Sequence, residues 1–141
     1  MDLYAENILE HYKNPLHRGC MAHSSVTRTE NNPSCGDSII LSLQIKEDVI
    51  TQVRWDGEGC AVSMAAMSML SEKLAGMSVQ EAQTLNAQDI VKLLRVPISA
   101  RRMKCALLCL HSLKNALHAQ RKEPAQSWTE TIGQNNGSNE K

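Results

Sequence analysis

Three cysteines stand where thiols do chemistry: Cys35 in Asn32-Pro33-Ser34-Cys35-Gly36-Asp37, Cys60 after Gly57-Glu58-Gly59, and Cys105 after Arg101-Arg102-Met103-Lys104. Each adjoins a turn or a cationic run, settings that expose a thiol and favour its thiolate, the form that attacks sulfur and ligates metals. Cys35 and Asp37 flank Gly36; two positions apart in extended chain they share a face, so a thiolate and a carboxylate can address one metal ion. Cys60 leaves a Gly-x-Gly bend and opens a helix, where unpaired backbone N–H groups and the positive dipole end favour the thiolate. Arg102, three residues before Cys105 on the same helix side, acts in the same direction. Each position also has a plain structural reading: a buried cysteine beside a turn-forming aspartate, a small residue at a tight corner, and a core thiol next to a solvated basic face.

No two cysteines form Cys-x-x-Cys, so conventional zinc-finger and thioredoxin signatures are absent. Cys35, Asp37, Cys60 and Cys105 can nonetheless converge as four ligands, tetrahedral around zinc or thiolate-rich enough for an iron–sulfur cluster. A carboxylate is harder than a thiolate and suits soft-metal clusters less well, which predicts a site that loads and unloads. Cys109, one turn beyond Cys105, reads as core, and Cys20 as incidental. Met64, Met67 and Met69 read as adaptable packing. His11, His17, His23, His111 and His118 show no paired metal spacing.

The elements that must position these residues follow from periodicity. Residues 2–13 predict a short helix stopped by Asn14-Pro15, and residues 16–30 show no strong period. Alternation over Ser38–Lys46 and again over Val49–Trp55 predicts a β-hairpin turning at Glu47-Asp48. A largely buried helix is expected over residues 61–75, ending at Gly76, then short helices from the Ser78 capping box to about Leu85 and over Ala87–Leu94. A final amphipathic helix is expected from about Ala100 to Gln120. Strands first and helices afterwards argue for an α+β domain, a small antiparallel sheet with helices packed on one face, over residues 1–122. The Gln/Asn/Ser/Gly-rich segment 123–141 reads as a disordered tail.

A chain of 141 residues buries enough surface to fold without disulfides, leaving the cysteines free for chemistry. The acidic, amphipathic start and the lack of a long apolar run point to a soluble cytoplasmic protein with reduced thiols and no membrane partner. Charge is lopsided: residues 1–94 hold twelve acidic against seven basic residues, and 95–122 hold seven basic and no acidic ones. Without interleaved aromatics or a binding motif, that basic stretch argues against nucleic acid and for an acidic protein partner or a field acting on Cys105.

Four segments together resemble the iron–sulfur cluster scaffold family of the IscU, SufU and NifU N-terminal type: Glu10-His11-Tyr12-Lys13-Asn14-Pro15, Asn32 to Asp37, Gly57 to Ala65, and Arg102-Met103-Lys104-Cys105-Ala106-Leu107-Leu108. The resemblance implies a compact α+β domain in which Cys35, Asp37, Cys60 and Cys105 meet at one exposed end and bind zinc or a nascent [2Fe-2S] cluster. It implies a cysteine desulfurase as sulfur donor and acceptor or carrier proteins as recipients. It also implies an alternative, a zinc-dependent sulfurtransferase in which Cys35 accepts the persulfide and Arg102 assists. Arg102 and the Gly-Glu-Gly-Cys-Ala-Val-Ser-Met run are SufU-like; Lys104 stands where IscU proteins have histidine. The SufU insertion between the second and third cysteines is missing, and Val96-Pro97-Ile98-Ser99-Ala100 replaces the IscU chaperone-recognition motif.

Overall fold

The computed structural model describes residues 3–133. Helix α1 (Leu3–Lys13) leads to strands β1 (Val26–Asn31), β2 (Ser38–Lys46) and β3 (Val49–Glu58). Helices α2 (Ala61–Leu74), α3 (Val79–Gln83), α4 (Ala87–Leu94), α5 (Met103–Gln120) and α6 (Trp128–Gly133) follow, with a 3-10 turn over Ala100–Arg102 feeding α5. The strands make one antiparallel sheet in the order β1-β2-β3. The architecture is α+β, as expected.

Alternation along β2 turns Ile39, Leu41 and Leu43 inward and leaves Ile40 on the open face. In β3, Ile50 and Val53 are both buried although residues three apart in a regular strand face opposite sides. A register shift between Gln44 and Ile45 resolves this: Gln44 pairs with Gln52 but Ile45 with Ile50, and the extra residue re-aims the strand. The two-residue turn at Glu47 and Asp48 has positive φ at both positions (53° and 62°), the twist-matched hairpin geometry.

Helices α2 and α5 pack against each other and against the inner face of the sheet, α5 on β1 and β2 and α2 on β3. Leu70, Leu107, Leu108 and Trp55 are fully buried there, each apolar side chain contributing about 1.5–3 kcal/mol. α2 is covered on nearly every side by α1, α4, α5 and β3, so even its serines are inside. They are satisfied locally: Ser71 donates to the Ser68 carbonyl at 2.6 Å, and Ser68 Oγ accepts the Leu16 N–H at 2.8 Å. Gly76, where α2 was expected to end, follows the Ala75 cap and donates its N–H to the Ile50 carbonyl at 2.8 Å.

Two segments differ from expectation. The segment 16–30 holds all but the last residue of β1, whose inward side chains are Val26, Arg28 and Glu30. Ion pairing (Arg28 Nε to Glu30 Oε2, 2.7 Å) and a hydrogen bond from Asn115 to Glu30 (3.1 Å) replace the apolar alternation that marks a strand. Secondly, the segment read as a tail carries helix α6 and is described through residue 133. Gln126 and Thr131 are buried, Gln126 exchanging two backbone–side-chain hydrogen bonds with Asn115 (2.7 and 3.4 Å), and α6 packs on α5. The rest of that tail, 134–141, lies outside the described residues. Among the described residues no helix is long and apolar enough to cross a membrane.

Candidate functional site

The turn between β1 and β2 is built around Asn32. Its backbone carbonyl accepts from Gly36 N–H (2.8 Å) and Cys35 N–H (3.3 Å), and its side-chain oxygen accepts from Ser34 N–H (3.1 Å). Its backbone N–H donates to the Asp37 carbonyl at 2.9 Å, closing the loop. Gly36 has φ +81°, a conformation open to glycine at little cost, and lets Cys35 project outward while Asp37 turns in. The buried amide of Asn32 donates to Cys35 Sγ at 3.0 Å and reaches Cys105 Sγ at 4.0 Å.

Cys60 occupies the N-cap of α2, where the Gly-x-Gly bend was expected to deliver it, and makes no side-chain cap bond. Its sulfur lies 3.6 Å from Ser63 Oγ, one turn into the helix. Ser63 also hydrogen-bonds the Asp37 carboxylate and lies 3.1 Å from the Cys105 carbonyl, so one hydroxyl touches three of the site segments. Burial opposes ionisation of Asp37. Hydrogen bonds from Ser63, the Cys35 and Cys105 thiols and the Cys60 backbone outweigh it and hold the carboxyl below its ordinary range. Gly59 makes room for this arrangement: a Cβ there would sit 2.7 Å from Asp37 Cγ.

Cys105 lies in the first turn of α5, is buried, and places Sγ 3.5 Å from Cys35 Sγ. The expectation that nearby cations favour its thiolate is corrected here. Burial, then hydrogen bonding with Cys35 and the neighbouring Cys60, push the Cys105 thiol up to about 12. The basic stretch is likewise divided: Arg95 lies over the Tyr4 ring (5.5 Å) and Lys104 over Trp128 (5.7 Å), while Lys114 is buried against the Gln83 carbonyl at the end of α3. Arg101 and Arg102 remain exposed at the cysteine pocket. Cys20 is exposed elsewhere and Cys109 is fully buried.

Ligand atoms of Cys35, Asp37 and Cys105 lie within 4.8 Å of one another. Cys60 falls outside that tight group but lines the same open pocket, about 850 Å³, with Asn32, Arg101, Arg102 and Lys104. Thiols and a carboxylate held around one opening fit either a zinc ion or a thiolate-bound cluster.

A model of the NifU-like N-terminal domain matches residues 3–127. The chain belongs to this family. Two curated relatives are similar over most of the chain. The zinc-dependent sulfurtransferase SufU of Bacillus subtilis (strain 168) is 30% identical over 132 residues, spanning 82% of this chain and 89% of that protein. The iron-sulfur cluster assembly enzyme IscU of Drosophila melanogaster is 36% identical over 121 residues, spanning 82% and 76%. Among solved structures, a protein assigned as a SUF-system iron-sulfur cluster assembly scaffold, from Fervidobacterium islandicum AW-1, superposes with a TM-score of 0.72 at 26% identity. That match covers 79% of this chain and 94% of that one.

Within this family domain, sequence reasoning missed Asn32 and Ser63 as site residues. Ser63 carried a usable signal, since it lies three positions after Cys60 on a helix and so shares its face. Asn32 had a weaker one: it opens an Asn-Pro turn three residues before Cys35, whose sulfur its amide meets, but its second contact, with Cys105, comes from 73 positions away.

Proposed function

We propose that the chain is an iron–sulfur cluster assembly scaffold: it receives sulfur from a cysteine desulfurase, builds a labile [2Fe-2S] cluster on Cys35, Asp37, Cys60 and Cys105, and passes it to acceptor or carrier proteins. The observation that carries this reading is the convergence of Cys35, Asp37 and Cys105 within 4.8 Å at an open pocket that Cys60 also lines. The names of the IscU relatives support it.

The protein's own residues divide the work. Cys35, exposed at the pocket mouth, is the thiol placed to meet a donor, and Asn32 steadies its sulfur through the 3.0 Å N–H contact. Its thiolate attacks the outer sulfur of the desulfurase persulfide; that S–S bond breaks, the desulfurase cysteine leaves as thiolate, and Cys35 carries the persulfide. Reducing this persulfide to sulfide takes two electrons from an external thiol reductant. Asp37 is the hard ligand that keeps the cargo exchangeable. Arg101 and Arg102 offer an acidic donor surface a cationic approach and can steady the persulfide anion.

A second reading is favoured by the SufU relative, named as a zinc-dependent sulfurtransferase. In it the same four residues would hold Zn²⁺, which would organise the thiolates, and Cys35, released from the metal, would accept and pass on the persulfide without a cluster being built. Anaerobic incubation with ferrous iron, cysteine, a desulfurase and dithiothreitol separates the two. The scaffold predicts cluster absorbance in proportion to protein, lost in Cys60→Ser, and transfer to an apo-ferredoxin. Desulfurase stimulation by the zinc form with no cluster absorbance, abolished in Cys35→Ser, assigns the sulfurtransferase instead.

A further inference from the structure

Helix α6 lies past the family domain, whose match ends at residue 127, yet it reaches the cysteine pocket. Ile132 lines that pocket alongside Cys35 and Cys105. Trp128 stacks on His111 with ring centroids 4.2 Å apart, takes the Lys104 ammonium over its ring at 5.7 Å, and donates its indole N–H to the Asn31 carbonyl at 3.3 Å. Lys104 immediately precedes Cys105, and Asn31 immediately precedes Asn32. One indole therefore touches both segments that bring the paired thiols together.

A separate set of contacts anchors the helix. Thr131 Oγ1 lies 2.7 Å from His111 Nδ1 and accepts from Gln126 Nε2 at 2.8 Å, and Asn115 Oδ1 accepts the Gln126 N–H at 2.7 Å. These polar contacts, together with the packing of Trp128 and Ile132 against the core, hold the segment on α5. The same two side chains also reach the pocket and the segments that carry its thiols.

We propose that α6 is an addition to the family domain that walls one side of the cysteine site, with Ile132 closing the pocket and Trp128 fixing Lys104 and the end of β1, so that Cys105 is reached from the Arg101–Arg102 side. The wall is a property of the metal-free protein and stands whichever function the site performs. Its consequence is selective access: a small reagent passes the remaining opening, and a bulky one is hindered.

The five cysteines provide their own controls, since Cys20 is exposed and Cys109 is fully buried. The full-length, metal-free chain is labelled with iodoacetamide or with a bulky maleimide, and each cysteine is quantified by mass spectrometry. Ile132→Ala and Trp128→Leu are expected to raise maleimide labelling of Cys105 several-fold relative to Cys20, to raise iodoacetamide labelling less, and to leave Cys109 protected. Unchanged Cys105 labelling in Ile132→Ala overturns the proposal. So does a rise at Cys105 matched by one at Cys109, which reports loosening of the whole fold. Ile132→Ala removes no hydrogen bond, so it decides the matter even where Trp128→Leu fails to fold.

Discussion

The Asn32 side chain does for the cysteine loop what backbone alone cannot: its oxygen accepts the Ser34 N–H and its amide donates to the Cys35 sulfur. A partner that orients a ligand without binding the metal is commonly worth about 10–100-fold in metal affinity. Asn32→Leu is accordingly expected to weaken zinc binding by about that factor, measured by competition with a chromophoric chelator. Gly59 gives a complementary case, because the cost of a side chain there falls on Asp37. Gly59→Ala and Asp37→Gly should each lower zinc affinity, and the double variant should bind no more weakly than Asp37→Gly alone, since that change removes the Cβ as well as the carboxylate that a side chain at 59 would meet. Additive losses would separate Gly59 from Asp37. The residue types at the site were legible because their signals are local: a turn around Gly36, a helix start after Gly59. The protonation of Cys105 was not, since its cations lie at the rim while its sulfur is inside.

At the scale of elements, hydrophobic periodicity located the β2–β3 hairpin, α2 and α5, whose buried faces are apolar. It was blind to β1, where Arg28 and Glu30 face inward and are satisfied by each other and by Asn115. It was also blind to α6, because six residues of mixed polarity are ordered by contacts with α5 rather than by their own pattern. Both unforeseen elements meet at His111, whose Nε2 lies 3.5 Å from Glu30 and whose ring stacks on Trp128. Burial pushes the His111 imidazole below its ordinary value, with Arg28 acting in the same direction and Glu30 opposing. The folded state thus holds His111 neutral where the unfolded chain takes up a proton, and stability falls as pH drops below about 6.5. Urea unfolding between pH 7.5 and pH 5.5 is expected to show a shallower loss of stability in His111→Gln than in the wild type. An unchanged slope would place the acid sensitivity elsewhere.

For the whole molecule, core and site are separable. The buried cluster from Ile8 to Leu117 includes Cys109 but none of Cys35, Cys60 and Cys105, so the core is built without the thiols of the site. Chelator-treated protein is therefore expected to keep its helical circular dichroism and a cooperative thermal transition. Unfolding on metal removal would instead make the site a structural one. Core damage should act on the reverse axis: Leu107→Ala is expected to cost about 2–5 kcal/mol in urea unfolding. What sequence alone could not supply is the convergence itself, since Cys35 and Cys105 are 70 positions apart and meet only because α5 packs across β1 and β2. The central claim is that three cysteines and Asp37 act as one site, and Cys60, outside the tightest group, is the member on which it turns. Anaerobic cobalt(II) titration of the apo-protein tests it directly through thiolate-to-metal charge-transfer absorbance. The account predicts saturation at one cobalt per chain, with the band reduced in each of Cys35→Ser, Cys60→Ser and Cys105→Ser and unchanged in Cys20→Ser; a band that Cys60→Ser leaves at full intensity would contradict it.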